Sequence, residues 1–265
     1  MFLRTITTKT LRDGRRGLLW WALGLIGLTV VTVAPYPAIR EMPGLEDLLE
    51  GMPDALLALI GETDLLSPAG YLNSQLFGSI VPILFMVYSV AAGAGAIAGE
   101  EDNRTLDLLL ANPVGRTRVV VEKTLAMVIG LALLGAILWV AIYLPSVAVD
   151  MDLDPAHLAA ANLSAVLFGF FMGGLALMIG AATGSRGLSI GLGVAVGVAA
   201  FLVNSLAPLV EALEPLQRLS PFYYYYESDP LRNGLDPLHA AVLAVGGLLF
   251  VVVAVIGFRR RDVGV

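Results

Sequence analysis

The chain has 265 residues, of which 57% are hydrophobic and only 14% charged, and its mean hydropathy is +0.82. A soluble domain carries about a quarter of its residues as charges, so the composition points to a bilayer as solvent. The absence of cysteine excludes disulfides and thiolate metal sites, and an acidic balance of 22 Asp and Glu against 16 Lys and Arg argues against nucleic acid as a partner.

About 20 apolar residues are needed for a helix to cross the hydrocarbon core. Six windows qualify, at 17–39, 76–98, 124–148, 158–182, 188–210 and 240–258. The runs are continuous rather than alternating, which excludes a β-barrel. The expected fold is all-α: a polytopic membrane protein with six spans in a single domain over 1–265.

The first window follows a basic stretch with Lys9, Arg12, Arg15 and Arg16, read as an amphipathic interfacial helix. Its adjacent arginines resemble a secretion signal, but the apolar run exceeds the 7–15 residues of a cleaved one. It is expected to stay as an uncleaved span. After it, the segment 44–60 carries Leu45, Leu48, Leu49, Met52, Leu56 and Leu59 at helical spacing, which predicts short helices lying on the outer interface.

Between the second and third windows lies a charged connection, 99–118, with seven charges in twenty residues. Asp102 or Asn103 is expected to cap a helix running through Ala111. Pro113 and Gly115 end it, and Thr117 caps the next span. Leu106, Leu109 and Leu110 share one face, while Asp107 faces away. That face could rest on lipid headgroups or enter a groove on a soluble partner. Spans four and five are joined by a tight turn at 183–187, and the last span is preceded by Phe222 and Tyr223 to Tyr226, read as an interfacial aromatic anchor.

Thirteen of the 16 Lys and Arg residues fall on the side that holds both termini, 99–123 and Arg186. Positive charge marks the cytoplasmic side, so both termini and the 99–118 connection are expected there. Fifteen of the 22 acids lie in the three opposite segments.

Catalytic chemistry is not visible. His157 and His239 both fall at outer helix ends, away from Ser185 in its turn, so no base reaches a nucleophile. The spans lack a central Asp, Glu, Lys or Arg, which disfavours an ion-coupled carrier. Asn162, Ser164 and Asn204 are read as interhelical hydrogen-bonding groups. Small residues repeat at four-residue spacing in Ala91/Gly95/Gly99, Gly169/Gly173 and Ser189/Gly193/Gly197, consistent with close packing or with a sliding interface. Neither lysine, Lys9 or Lys123, sits in a phosphate-binding glycine loop. The chain is therefore not expected to be an enzyme, and any ATP chemistry would belong to another polypeptide.

Glu100, Glu101, Arg104 to Leu110, Pro113, Arg116, Arg118 and Lys123 together resemble the signature of type-2 ATP-binding-cassette exporter permeases. Six spans, the basic N-terminus, the large first outer segment, and the 219–223 and 229–236 runs extend the similarity over the whole chain. Many members carry glycine where Arg104 stands. The resemblance implies a permease subunit, paired with a second copy or a close homologue in the cytoplasmic membrane and driven by two separate ATPase subunits that bind ATP and Mg. It implies that 99–118 is a coupling helix whose ATPase contacts are Thr105, Leu106, Leu109, Leu110, Pro113 and Arg116. The chain itself would hold no cofactor. An apolar pathway would suit a hydrophobic or amphipathic cargo. An ion-coupled carrier and a non-transporting scaffold are the alternative readings.

Overall fold

The computed structural model describes residues 5–40, 67–111 and 114–261. The 44–60 stretch and Pro113 lie outside the described residues, as does the side chain of Leu110. No strand occurs among the described residues, and six helices are long and apolar enough to cross a membrane. Their main segments are α1 (Ile6–Val33), α2 (Ile80–Ala96, the larger part of a Pro68–Ala96 span), α3 (Arg116–Ala148), α4 (Pro155–Thr183), α5 (Arg186–Leu206) and α6 (Pro237–Arg260).

Local chemistry sets most of the ends. Asp154 accepts from the backbone of Ala156 at 2.7 Å and caps α4, whose first residue is a proline. Asp236 does the same for α6, accepting from Leu238 and His239 at 2.8 and 2.9 Å. The expected turn between spans four and five forms with Gly184 in the left-handed region (φ 69°), and Ser185 then caps α5.

Two boundaries differ from the sequence reading. The basic N-terminal stretch is continuous with the first span as one helix, because no proline interrupts it and Thr5 supplies the cap. Gly115 rather than Thr117 occupies the cap position of α3, without a side-chain bond. At 33 residues, α3 is about 50 Å long and outruns a hydrocarbon core of about 30 Å.

The central helix is α4. It packs against α2 and α6 and also touches α3 and α5, while α1 lies chiefly on α3. In its most apolar window α4 is 61% buried, against 17% for α1 and α5. Glycine makes the central contacts possible: a Cβ at Gly93 of α2 would run into the Gly173 carbonyl of α4. One at Gly174 would come within 2.9 Å of the Gly247 carbonyl of α6. Two of the three small-residue stripes are thus packing devices. Gly169 and Gly173 meet Leu131 and Met127, and Ser189, Gly193 and Gly197 are the only buried positions of α5. The third behaves differently, since nothing lies within 4 Å of a Cβ built at Gly95.

The end of the bundle opposite the termini is closed by a helix at Pro221–Tyr226 and a shorter one at Pro230–Asn233. The aromatic run is not simply an interfacial anchor. Phe222 is buried between Phe168 and Phe201, and the buried Tyr225 hydroxyl donates to the Phe77 carbonyl at 2.9 Å. Phe77 ends a π-helical turn, Asn73–Phe77, just before α2. Ser164 donates across helices to the Tyr225 carbonyl at 3.4 Å, whereas Asn162 donates within its own helix to Leu158 at 2.8 Å.

Candidate functional site

The 99–118 connection sits at the end of the bundle that holds both termini, and its geometry begins with a broken helix. A short helix, Ala98–Asp102, follows α2 directly. The Arg104 amide donates to the Glu101 carbonyl at 2.9 Å and the Thr105 amide to the Glu100 carbonyl at 2.8 Å. With Arg104 at φ 55°, these two bonds make a Schellman termination. The chain then restarts as Leu106–Leu110. The expected helix through Ala111 from a cap at Asp102 or Asn103 is therefore two short helices, because the left-handed residue at 104 resets the axis.

The elbow is fastened by charge. Lys123 of α3, only 7% exposed, pairs with one oxygen of Glu100, and the Thr105 hydroxyl donates to the other. Burial opposes ionisation of Glu100. The hydrogen bonds from Lys123 and Thr105, with the charges of Lys123 and Lys9, outweigh it and hold the carboxyl below the ordinary glutamate range. Next to it, Glu101 pairs with Arg261 just beyond α6, whose guanidinium lies against Gly184. Arg116 donates to the Phe258 and Arg259 carbonyls at 3.1 and 3.4 Å and lies over the Phe258 ring, capping the C-terminal end of α6. Finally, the Thr7 amide and hydroxyl of α1 donate to the Glu122 carboxylate and carbonyl of α3 at 3.1 and 3.0 Å.

These contacts give each expected partner-contacting residue a place. Thr105 is half-buried and holds Glu100. Leu106 is 2% exposed and packed inside the chain's own core, so it roots the segment rather than presenting a surface. Leu109 is partly buried against the same core, and Asp107 and Ala111 are exposed. The guanidinium of Arg116 is engaged with α6 rather than standing free at a rim. Pro113 falls outside the described residues.

Two ties were hidden from the sequence. Arg261 belongs to a terminal run of arginines that signals orientation, and nothing local links it to Glu101, 160 positions away. The Thr7–Glu122 bond likewise joins residues 115 positions apart.

Residues 4–263 match a family model described as ABC-2 family transporter protein. A search of curated proteins returns no match. The chain therefore belongs to the ABC-2 transporter family and is a multi-pass membrane protein. Membership implies, in general, a membrane component that works with a partner ABC ATPase.

Proposed function

We propose that this ABC-2 family chain is the permease subunit of an ATP-driven exporter, with the 105–116 segment docking on a separate ATPase. The observation that carries this reading is the anchoring of the Leu106–Leu110 helix. Leu106 roots it in the bundle, and Glu100–Lys123 ties the elbow to α3. Glu101–Arg261 ties it to the end of α6, and Thr7–Glu122 joins α1 to α3. A push on such a helix is transmitted to three spans at once.

In this reading both termini are cytoplasmic, following the positive charge at that end. Two copies of the chain, or this chain and a close homologue, pair with two ATPases in the cytoplasmic membrane. ATP and Mg are held by the ATPases, and their nucleotide-driven closure pushes the docking helix. Leu109, Leu110 and Pro113 form the docking edge, with Leu106 as its root, while Thr105 and Arg116 hold that edge in place from Glu100 and from the end of α6. A hydrophobic or amphipathic cargo suits spans that lack a midplane charge.

Co-purification in mild detergent, followed by an ATPase assay of the associated subunit, tests the assignment. Leu109→Asp is expected to weaken ATPase association while the protein still inserts. Asp107→Arg, at an exposed position where packing is not disturbed, is expected to weaken it as well. Unchanged association in both variants refutes docking here, and loss in Leu109→Asp alone assigns the effect to folding.

A further inference from the structure

At the end of the bundle that holds the termini, α1, α2 and α3 enclose a groove of about 440 Å³, within the range of small-molecule sites. Its walls are apolar, with Leu18, Ala92 and Met127 among them, and its floor is open because side chains are missing from it. Nothing lies within 4 Å of a Cβ built at Gly14 or Gly17 of α1, or at Gly95 of α2. Its inner end is walled by Trp21 and Tyr88, whose rings meet edge to face at 5.9 Å.

The mouth carries two cations, Lys123 and Arg186. Lys123 is neutralised by Glu100, but Arg186 has no acidic partner among the described residues. The Arg186 side chain reaches across the end of α2, its Cδ 3.8 Å from a Cβ built at Gly99. Lys9, Arg12, Arg15 and Arg16 add positive charge along α1 against the single acid Asp13. An apolar trough ending at an uncompensated guanidinium has one complementary shape: a hydrocarbon tail with an acidic head.

We propose that this groove binds an anionic amphiphile, its tail along the glycine floor toward Trp21 and its head on Arg186 and Lys123. The site deepens, and rests on, the amphipathic-cargo reading above by giving the cargo a charge. The head competes with Glu100 for Lys123, so occupancy loosens the elbow that carries the docking helix. An amine or a neutral ester gains nothing from Arg186, and the guanidinium repels the amine.

The test needs no ATPase, so its failure is separable from failure of the exporter assignment. Trp20→Phe with Trp139→Phe leaves Trp21 as the single tryptophan of three. In phosphatidylcholine nanodiscs, 11-(dansylamino)undecanoate is titrated and dansyl emission is read on tryptophan excitation. Saturable transfer is expected, displaced by laurate but not by dodecanol. The methyl ester of the probe should give only linear partitioning. Arg186→Gln should weaken binding roughly tenfold, as loss of a charge-assisted hydrogen bond implies, and Arg186→Lys should restore most of it. Gly95→Leu should abolish binding by filling the floor. Because Arg186 is exposed at the first turn of α5, its variants keep the fold, which the unfolding temperature checks. Equal binding of acid and ester, no effect of Arg186→Gln, or a wild-type groove closed to the probe by a second copy of the chain would each overturn the proposal.

Discussion

Arg104 occupies the one position of the elbow where a side chain works against the backbone. Its φ of 55° costs an L-residue roughly 1–2 kcal/mol relative to the right-handed region. Glycine avoids that cost but gives back about 0.5–1 kcal/mol of unfolded-chain entropy. Arg104→Gly should therefore stabilise the elbow by about 0.5–1 kcal/mol. The Arg104 side chain is exposed and has no bonded partner among the described residues, so its loss removes nothing. The effect is local, and the Thr105 amide, bonded to Glu100 at 2.8 Å, reports it directly through hydrogen exchange. Protection of that amide should rise roughly two- to fivefold in Arg104→Gly, since 1.4 kcal/mol is tenfold. Arg104→Asn should fall between glycine and arginine, because asparagine tolerates this region. Arg104→Val should lower protection below wild type, because a β-branched residue is strained there. Valine equal to or better protected than arginine would refute the account, as would glycine lowering protection.

Lys123→Met leaves the Glu100 carboxylate partly buried without its cation, and should cost about 3 kcal/mol, the lower end for a broken buried pair. Adding Glu100→Gln should recover most of that cost, and a thermal unfolding series on the four proteins reads the coupling. Because the Glu100 pKa is lowered from 4.5 in the folded chain, its stabilisation is complete above that value and fades as pH falls through the folded pKa. Thr105 protection, corrected for intrinsic exchange, should be flat from about pH 8 to 5 and decline below pH 4.5, with Glu100→Gln abolishing the decline. Tyr225→Phe removes the donor to the Phe77 carbonyl and should destabilise by about 1–3 kcal/mol, measured as a lower unfolding temperature; an unchanged temperature would show that water replaces the hydroxyl.

The six spans were legible because the bilayer demands long apolar runs, and α4 to α6 announce themselves further through Asp154, Ser185 and Asp236 at their caps. Gly169/Gly173 and Ser189/Gly193/Gly197 were readable as close-packing stripes. What each one touches was not, and Gly95 shows that the same spacing can floor a groove instead. The leucines of the connection were visible too, but periodicity names a face without saying what covers it. Leu106 is covered by the chain itself. The break at Arg104 is not legible from arginine itself, which does not favour a left-handed backbone; the glycine that many family members carry there was the one signal for it. Long-range ties such as Glu101–Arg261 lie beyond any local pattern.

The place of α4 in the chain also bears on how the protein is made. The helix on which α2 and α6 both pack comes after α1, α2 and α3 in the chain. Until it enters the membrane, α1 and α3 have each other, but α2 lacks its main neighbour and the close approach of Gly93 to Gly173 cannot be made. Assembly of the bundle therefore waits on α4, and a chain stalled before residue 155 has no centre around which to fold.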